Sequence, residues 1–206
     1  MQPLWIKICG LKTRAAVEAA VAAGADAVGF VFHAESPRNL ALDDARALQH
    51  AVPTGVERVA VFLHPSQALV DSVIEAIRPD RVQTDAGDLD TLTLPASQAL
   101  LPVLRADSEL PQPLPARLLL EGARSGAGER ADWPRATLVA RHTQLVLAGG
   151  LDADNVADAI RIVRPFGIDV SSGVESARGV KDLGLIRDFI GAVRAAEQAL
   201  VVEESR

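Results

Sequence analysis

The sequence predicts an α/β fold in which eight parallel strands close into a single (β/α)₈, or TIM, barrel. Short apolar runs alternate with helical patterns along the 206 residues, which is typical of parallel sheets. The core must be built mainly from Ala, Val, Leu and Ile, because aromatic residues are only 3% of the chain and Tyr is absent. Such residues suit strands that are covered by helices. Gly/Ser clusters also follow the last two apolar runs.

The eight strands are predicted where apolar runs end in turn residues or lead into helical patterns. They are expected at residues 5–9, 27–32, 56–63, 81–83, 100–105, 117–120, 145–148 and 167–170. Right-handed crossovers between such strands place them in parallel in one barrel. We therefore expect residues 1–206 to form one domain, with a frayed C-terminal tail from about residue 201.

Helical patterns and capping residues define most of the segments between strands. Thr13 is predicted to cap the first helix, Gly24 to end it, and Asp182 to cap the last helix. The third helix has an apolar face formed by Val70, Val73, Ile74 and Ile77. Residues 107–115 contain three prolines, so the fifth helix is expected to be reduced to a loop.

Composition narrows the class of partner. A net charge of -6 and a pI near 5.2 argue against nucleic acid or an anionic membrane as the main partner. The single cysteine, Cys9, excludes an intrachain disulfide, and the four histidines lack the spacing of a metal site. No apolar run approaches 18 residues. We expect a cytoplasmic protein without a metal, and the sequence leaves open whether it is a monomer or a homodimer.

The two Gly/Ser clusters predict a phosphate site. Gly149 and Gly150 permit close approach of the backbone, while Ser171, Ser172 and Gly173 offer hydroxyl and N–H donors. Loops after strands 7 and 8 of a (β/α)₈ barrel commonly bind phosphate. Taken singly, the first cluster is also compatible with a tight turn and the second with a polar loop.

In such a barrel the chemistry lies where strands end. Besides the two Gly/Ser clusters, the candidates are Cys9, Arg38, Gln83, Asp85, Arg105 and Glu121. Each has a simpler interpretation: Cys9 as a small buried residue, Arg38 as a solvated loop cation, and Glu121 as a loop cap or a partner of Arg124 or Arg130. Arg105 is left open between a ligand contact and an internal carboxylate.

Side-chain alternation adds a hypothesis about Lys7. Trp5, Lys7 and Cys9 share one face of the first strand, and barrel closure places this strand beside the eighth, which carries Asp169 and Ser171. Lys7 and Asp169 are therefore expected to form an ion pair inside the barrel. The positive charge of Lys7 would favour the Cys9 thiolate, since a thiol must ionise to accept a proton.

Several motifs resemble those of one known family. They are Lys7-Ile-Cys-Gly10, Phe32 with Ser36-Pro-Arg38, Gln83, Leu118-Leu-Leu-Glu121 with Gly126, Gly128 and Asp132-Trp133, Gly149-Gly-Leu-Asp152 with Asn155-Val156, and Asp169-Val-Ser-Ser-Gly-Val-Glu175 with Gly179, Lys181 and Asp182. In this order they resemble phosphoribosylanthranilate isomerase over almost the whole chain.

The resemblance implies an Amadori rearrangement of N-(5-phosphoribosyl)anthranilate, a phosphorylated aminosugar, in tryptophan biosynthesis, without a cofactor. It implies Cys9 as the base, Glu121 as the acid, Arg38 and Asp169 as substrate-binding residues, and the two Gly/Ser clusters as the phosphate site. Glu121 departs from the family's usual Asp, and Thr84-Asp85 departs from its apolar residue followed by His. The alternatives are another phosphosugar barrel enzyme and a barrel that binds a phosphate ligand without turnover.

Overall fold

The computed structural model describes residues 3–105, 108–123 and 128–204. Eight strands lie in the order β1 (Trp5–Cys9), β2 (Ala27–Val31), β3 (Glu57–Val61), β4 (Arg81–Asp85), β5 (Ala99–Arg105), β6 (Arg117–Glu121), β7 (Gln144–Leu147) and β8 (Gly167–Val170). They are parallel and close into a barrel, because β1 pairs with both β2 and β8. The predicted fold class is therefore confirmed.

Six α-helices are present in the described part of the chain. They are α1 (Arg14–Ala23), α2 (Leu42–Leu48), α3 (Gln67–Ile77), α4 (Trp133–Ala140), α5 (Val156–Val163) and α6 (Leu183–Glu204). Only a 3₁₀ turn, Ala86–Asp90, lies between β4 and β5. The described residues between β5 and β6 form no helix, in line with the prolines there. Within these ranges, no helix is long and apolar enough to cross a membrane.

The predicted helix caps are present. The Thr13 hydroxyl accepts a hydrogen bond from the N–H of Ala16 at 3.2 Å, and Gly24 ends α1 with φ of +99°. Asp182 Oδ1 accepts from the N–H groups of Gly184 and Leu185 at the start of α6. α6 continues to Glu204, into the segment for which fraying is predicted.

The core has two layers, because side chains of each strand alternate between the barrel interior and the helices. Ile6 and Ile8 of β1 belong to the outer layer, against the helices. The inner layer contains Trp5, Ala27, Val59, Leu101, Val103, Leu119, Val146 and Ala148. Inward positions beyond this layer, at the carboxyl ends of the strands, carry the polar candidates.

The loop after β8 contains elements that the sequence did not predict. A 3₁₀ turn, Ser172–Val174, is followed by two short antiparallel strands, β9 (Glu175–Ala177) and β10 (Val180–Lys181). This hairpin places Glu175 opposite Lys181. The hairpin brings the charged side chains of Glu175 and Lys181 back over the carboxyl end of the barrel, where Glu175 contacts Arg38.

Candidate active site

A cavity of about 280 Å³ opens at the carboxyl ends of the strands. Its polar lining residues include Cys9, Arg38, Gln83, Glu121, Asp169 and Ser171. Both residues proposed as acid and base, and both proposed substrate contacts, thus face one space. These four residues come from four places in the chain: barrel closure brings the ends of β1, β6 and β8 together, and the loop between β2 and α2 adds Arg38.

A smaller cavity of about 40 Å³ adjoins the first. Gly149, Gly150 and Ser172 line it, and Glu121, Asp169 and Ser171 line both cavities. The two predicted phosphate loops therefore face each other across one small space that communicates with the proposed acid. This arrangement suits a substrate with a phosphate at one end.

Two glycines in these loops have a packing reason that the sequence did not show. Gly149 has φ of +88°, and a Cβ there would lie 2.6 Å from the carbonyl oxygen of Glu129 in the loop after β6. A Cβ on Gly173 would overlap the carbonyl oxygen of Leu151. Glycine at both positions lets three neighbouring loops pack together, whereas the sequence suggested only ligand approach or a tight turn for Gly149.

The turn before α5 is held by its own side chains. Asp152 Oδ1 accepts from the N–H groups of Asp154 and Asn155, each at 3.0 Å. The Asn155 side chain donates to the carbonyl of Gly150 at 2.8 Å. These contacts fix the turn that carries Gly150.

The predicted ion pair of Lys7 and Asp169 is present. Lys7 Nζ lies 2.7 Å from Asp169 Oδ1, and Lys7 is fully buried. The two residues are direct partners in the register of β1 and β8. Burial alone would lower the pKa of Lys7, but the negative charges of Asp169 and the Cys9 thiolate outweigh it and raise the pKa. Lys7 is thus a fixed cation beneath Cys9.

The Cys9 thiol is less acidic than the sequence suggested. Burial raises its pKa, and the nearby Asp169 adds to this, while Lys7 and Lys181 act in the opposite direction. Lys7 favours the thiolate, as expected, but burial dominates. Without ligand, the thiol is therefore mainly neutral at neutral pH.

Sequence reasoning assigned no role to Glu175 or Lys181, which hold Arg38. Glu175 accepts from Arg38 Nε at 2.7 Å and Nη2 at 2.9 Å, a two-point contact. Lys181 Nζ donates to Glu175 at 2.8 Å and to the carbonyl of Ser171 at 2.7 Å. These contacts fix Arg38 against the cavity wall. Glu175 and Lys181 both belong to the motif that begins at Asp169, but only the β9–β10 hairpin shows what they bind.

Acid is expected to weaken this cluster. Burial alone would raise the pKa of Glu175, but hydrogen bonds from Arg38, Lys181 and the Gly179 N–H lower it to about 2. Its contribution to stability is therefore complete above the unfolded-state pKa, near 4.3, and is lost as the pH falls towards 2. Glu175→Gln should lower the free energy of unfolding by on the order of 3 kcal/mol at pH 7, and by much less at pH 3.

Urea unfolding of both proteins at pH 7, 5 and 3 measures this difference. Glu18→Gln is the control, because Glu18 is half exposed and pairs with Arg14 on the surface of α1, where ion pairs contribute little. A difference that stayed constant between pH 7 and pH 3 would contradict the explanation.

Glu121 pairs with a residue that the sequence left unassigned. Arg105 forms ion pairs with both Asp85 and Glu121, so it faces internal carboxylates. The Arg130 guanidinium instead lies 3.9 Å from the centre of the Trp133 ring, and Arg124 lies outside the described residues. Of the two arginines suggested as partners of Glu121, the described one has a different contact.

Comparison of the sequence with known proteins points to one family. Residues 6–192 match the family model described as N-(5'phosphoribosyl)anthranilate (PRA) isomerase. The N-(5'-phosphoribosyl)anthranilate isomerase of Rhodopseudomonas palustris (strain HaA2) is 41% identical, over 95% of this chain and 98% of that protein.

Solved structures are also similar. The crystal structure of phosphoribosyl anthranilate isomerase from Thermus thermophilus has a TM-score of 0.81 and 28% identity, and covers 93% of this chain and 99% of its own. A phosphoribosyl anthranilate isomerase in complex with reduced 1-(o-carboxyphenylamino)-1-deoxyribulose 5-phosphate has a TM-score of 0.75, 29% identity and the same coverage. Sequence, barrel and cavity agree, and the chain belongs to the N-(5'-phosphoribosyl)anthranilate isomerase family.

Proposed function

We propose that this chain rearranges N-(5-phosphoribosyl)anthranilate to 1-(2-carboxyphenylamino)-1-deoxyribulose 5-phosphate with Glu121 as general acid and Cys9 as general base. The reaction is an aldose–ketose isomerisation of tryptophan biosynthesis. The observation that carries the assignment of roles is the shared cavity: Cys9, Glu121, Arg38 and Asp169 all line it. An isomerisation moves a proton without net oxidation, so an acid and a base suffice for the chemistry.

The proposed steps follow the substrate's bonds. Glu121 protonates the furanose ring oxygen, the C1–O bond breaks, and the nitrogen lone pair forms the C1=N bond of a Schiff base. The Cys9 thiolate then removes the C2 proton, and the electron pair moves to give an enol amine. The Cys9 thiol then returns a proton to C1 while the C2 hydroxyl loses its proton to the Glu121 carboxylate, which gives the ketone and restores both groups. Each step requires the acting side chain within hydrogen-bond reach of its atom.

The active form carries a proton on Glu121 and none on Cys9. Since a carboxyl is ordinarily more acidic than a thiol, this form is the less populated arrangement of one proton between the two groups. The raised pKa of Cys9 reduces the thiolate population, but it makes each thiolate a stronger base. Lys7, which lies beneath Cys9, acts to lower the Cys9 pKa and so increases the thiolate population.

In the proposed binding mode, the carboxylate of the substrate lies in the larger cavity and its phosphate in the smaller one. Arg38 is 5% exposed and lines the larger cavity, where a guanidinium suits the carboxylate of anthranilate. Asp169 lines both cavities and would accept hydrogen bonds from sugar hydroxyls. The Gly149-Gly150 loop and Ser171-Ser172-Gly173 would hold the phosphate. In this orientation the ribose spans the space between Cys9 and Glu121.

We further propose that residues 1–206 act as a single domain in the cytoplasm. One closed barrel contains all eight strands, from β1 to β8, and α6 packs against α1 and α5 on its outside. A buried free thiol that must ionise during turnover fits a reducing compartment.

The assigned roles predict a separation between turnover and binding. Turnover of freshly generated substrate is measured as the fall in anthranilate fluorescence. Glu121→Ala should lose this turnover but should still bind the reduced product, as measured by calorimetry. Arg38→Lys should mainly raise KM and weaken that binding, because lysine keeps the charge but loses the two-point contact with Glu175 that fixes the cation at the cavity. Wild-type turnover by Glu121→Ala would contradict the acid assignment. Binding without turnover by the wild type would identify a silent binder.

A further inference from the structure

Strand register places Asp85, Arg105 and Glu121 side by side. Arg105 is the direct partner of Glu121 between β5 and β6, and Asp85 is the partner of Val103 between β4 and β5. Leu101 and Val103 point into the barrel, so Arg105, two residues further along, points the same way. On the inner face of the barrel, β4, β5 and β6 thus end in an acidic, a basic and an acidic residue.

The three side chains form one bridge. Arg105 Nη2 contacts Asp85 Oδ1, and Nη1 contacts Glu121 Oε1. All three are largely buried, with exposed side-chain fractions of 19%, 13% and 16% along the bridge. Asp85 accepts a hydrogen bond from Nη2, whereas Nη1 forms an ion pair with Glu121 without a hydrogen bond. Neither carboxylate therefore takes the full two-point contact that arginine can offer.

Glu121 needs such a restraint. A glutamate has one more rotatable bond than the aspartate common in the family, and an acid must hold its oxygen within about 0.5 Å of its productive position. We propose that Arg105 is a positioning residue for the isomerisation, which holds the Glu121 carboxylate at the cavity while Asp85 takes up part of the arginine's charge and hydrogen-bonding capacity. This inference rests on the proposed role of Glu121 as the acid.

Asp85 has a specific electrostatic function in this arrangement. An arginine beside a carboxylate favours its ionised form, which opposes work as a proton donor. The Asp85 carboxylate weakens this effect, because it shares the guanidinium and repels a second negative charge. Arg105 can then restrain Glu121 without holding it permanently ionised.

Other charged groups also surround the bridge. Asp169 and Cys9 face Glu121 across the larger cavity, with Lys7 beneath them, and Glu129 lines the smaller cavity. On the other side, His64 Nε2 lies 4.0 Å from Asp85 and its Nδ1 lies 2.7 Å from Asp88. The substitutions below leave all six of these residues in place, so differences between variants report on the bridge.

Carbon-13 NMR of protein labelled at the glutamate side-chain carboxyls tests the inference directly. Glu121→Gln identifies the Glu121 signal, which is then followed against pH. Asp85→Asn should lower the Glu121 titration midpoint by about one unit, and Arg105→Met should raise it by a similar amount. Asp43→Asn, which alters an exposed pair on α2, should leave the midpoint unchanged. Local loosening of the fold would not produce opposite shifts in the two variants.

Turnover supplies the second readout. In Asp85→Asn, kcat at pH 7 should fall about tenfold per unit of lowered midpoint, with little change in KM, because fewer molecules carry the Glu121 proton. An unmoved midpoint in Asp85→Asn, or an unmoved kcat despite a shifted midpoint, would overturn the inference. Wild-type turnover by Glu121→Gln would instead overturn the proposed acid, while the titrations would still show whether Arg105 and Asp85 hold this carboxylate.

Discussion

Replacement of Cys9 by serine is expected to lower kcat by between about 10² and 10⁴-fold, the range that general base catalysis contributes. A hydroxyl is a much weaker acid than a thiol, so even beside Lys7 almost none of the serine is ionised at neutral pH. Serine is nearly the same size, and Cys9 is buried at the strand end. The fold and the affinity for the reduced product should therefore change little.

Stopped-flow fluorescence with freshly generated substrate measures kcat, and calorimetry with the reduced product measures binding. Cys9→Ala is the matched variant: it removes the heteroatom, and its kcat should be no higher than that of Cys9→Ser. If kcat of Cys9→Ser stayed within a few-fold of the wild type, the base would have to be another group of the cavity.

Lys7→Met is expected to impair both stability and activity. It leaves Asp169 buried without the cation that lies 2.7 Å from it, and breaking a buried ion pair from one side typically costs about 3–5 kcal/mol. It also removes the charge that lowers the pKa of Cys9, while the opposing effect of Asp169 stays. The Cys9 pKa should rise further, so kcat falls and the alkaline limb of its pH profile moves to higher pH.

A double variant separates these two effects. Replacing Lys7 by Met and Asp169 by Leu removes both charges, and apolar pairs often match the stability of a buried ion pair. We expect urea unfolding to show recovered stability, whereas turnover stays low because Cys9 lacks its cation and the cavity lacks Asp169. Recovery of activity together with stability would show that the ion pair serves the fold alone.

The fold could be predicted largely from local patterns. Apolar runs placed the strands, and Thr13, Gly24 and Asp182 marked helix ends because capping depends on contacts within a few residues. The pair of Lys7 and Asp169 was also predictable, since side-chain alternation and barrel closure place neighbouring strands in a known relation. The hairpin of β9 and β10 was missed, because strands of three and two residues carry too little pattern to be distinguished from a polar loop.

The chemistry at the strand ends was predicted less completely. Cys9, Arg38 and Glu121 could be proposed because polar residues at or just after strand ends face the cavity of such a barrel. The same alternation would have placed Arg105 beside Glu121, had it been applied to β5 as it was to β1. That Arg105 contacts two carboxylates at once depends on side-chain reach across three strands, which residue order does not give.

The eight strands, the barrel and the strand-end residues follow from residue order, because periodicity, capping and the fixed relation between neighbouring strands specify them. Two features required the folded molecule: Glu175 holds Arg38 across a separation of 137 residues, and burial has a larger effect than Lys7 on the pKa of Cys9. Ion pairing and pKa depend on distances of a few ångströms and on how much water remains. Those quantities exist only once the loops have packed over the end of the barrel.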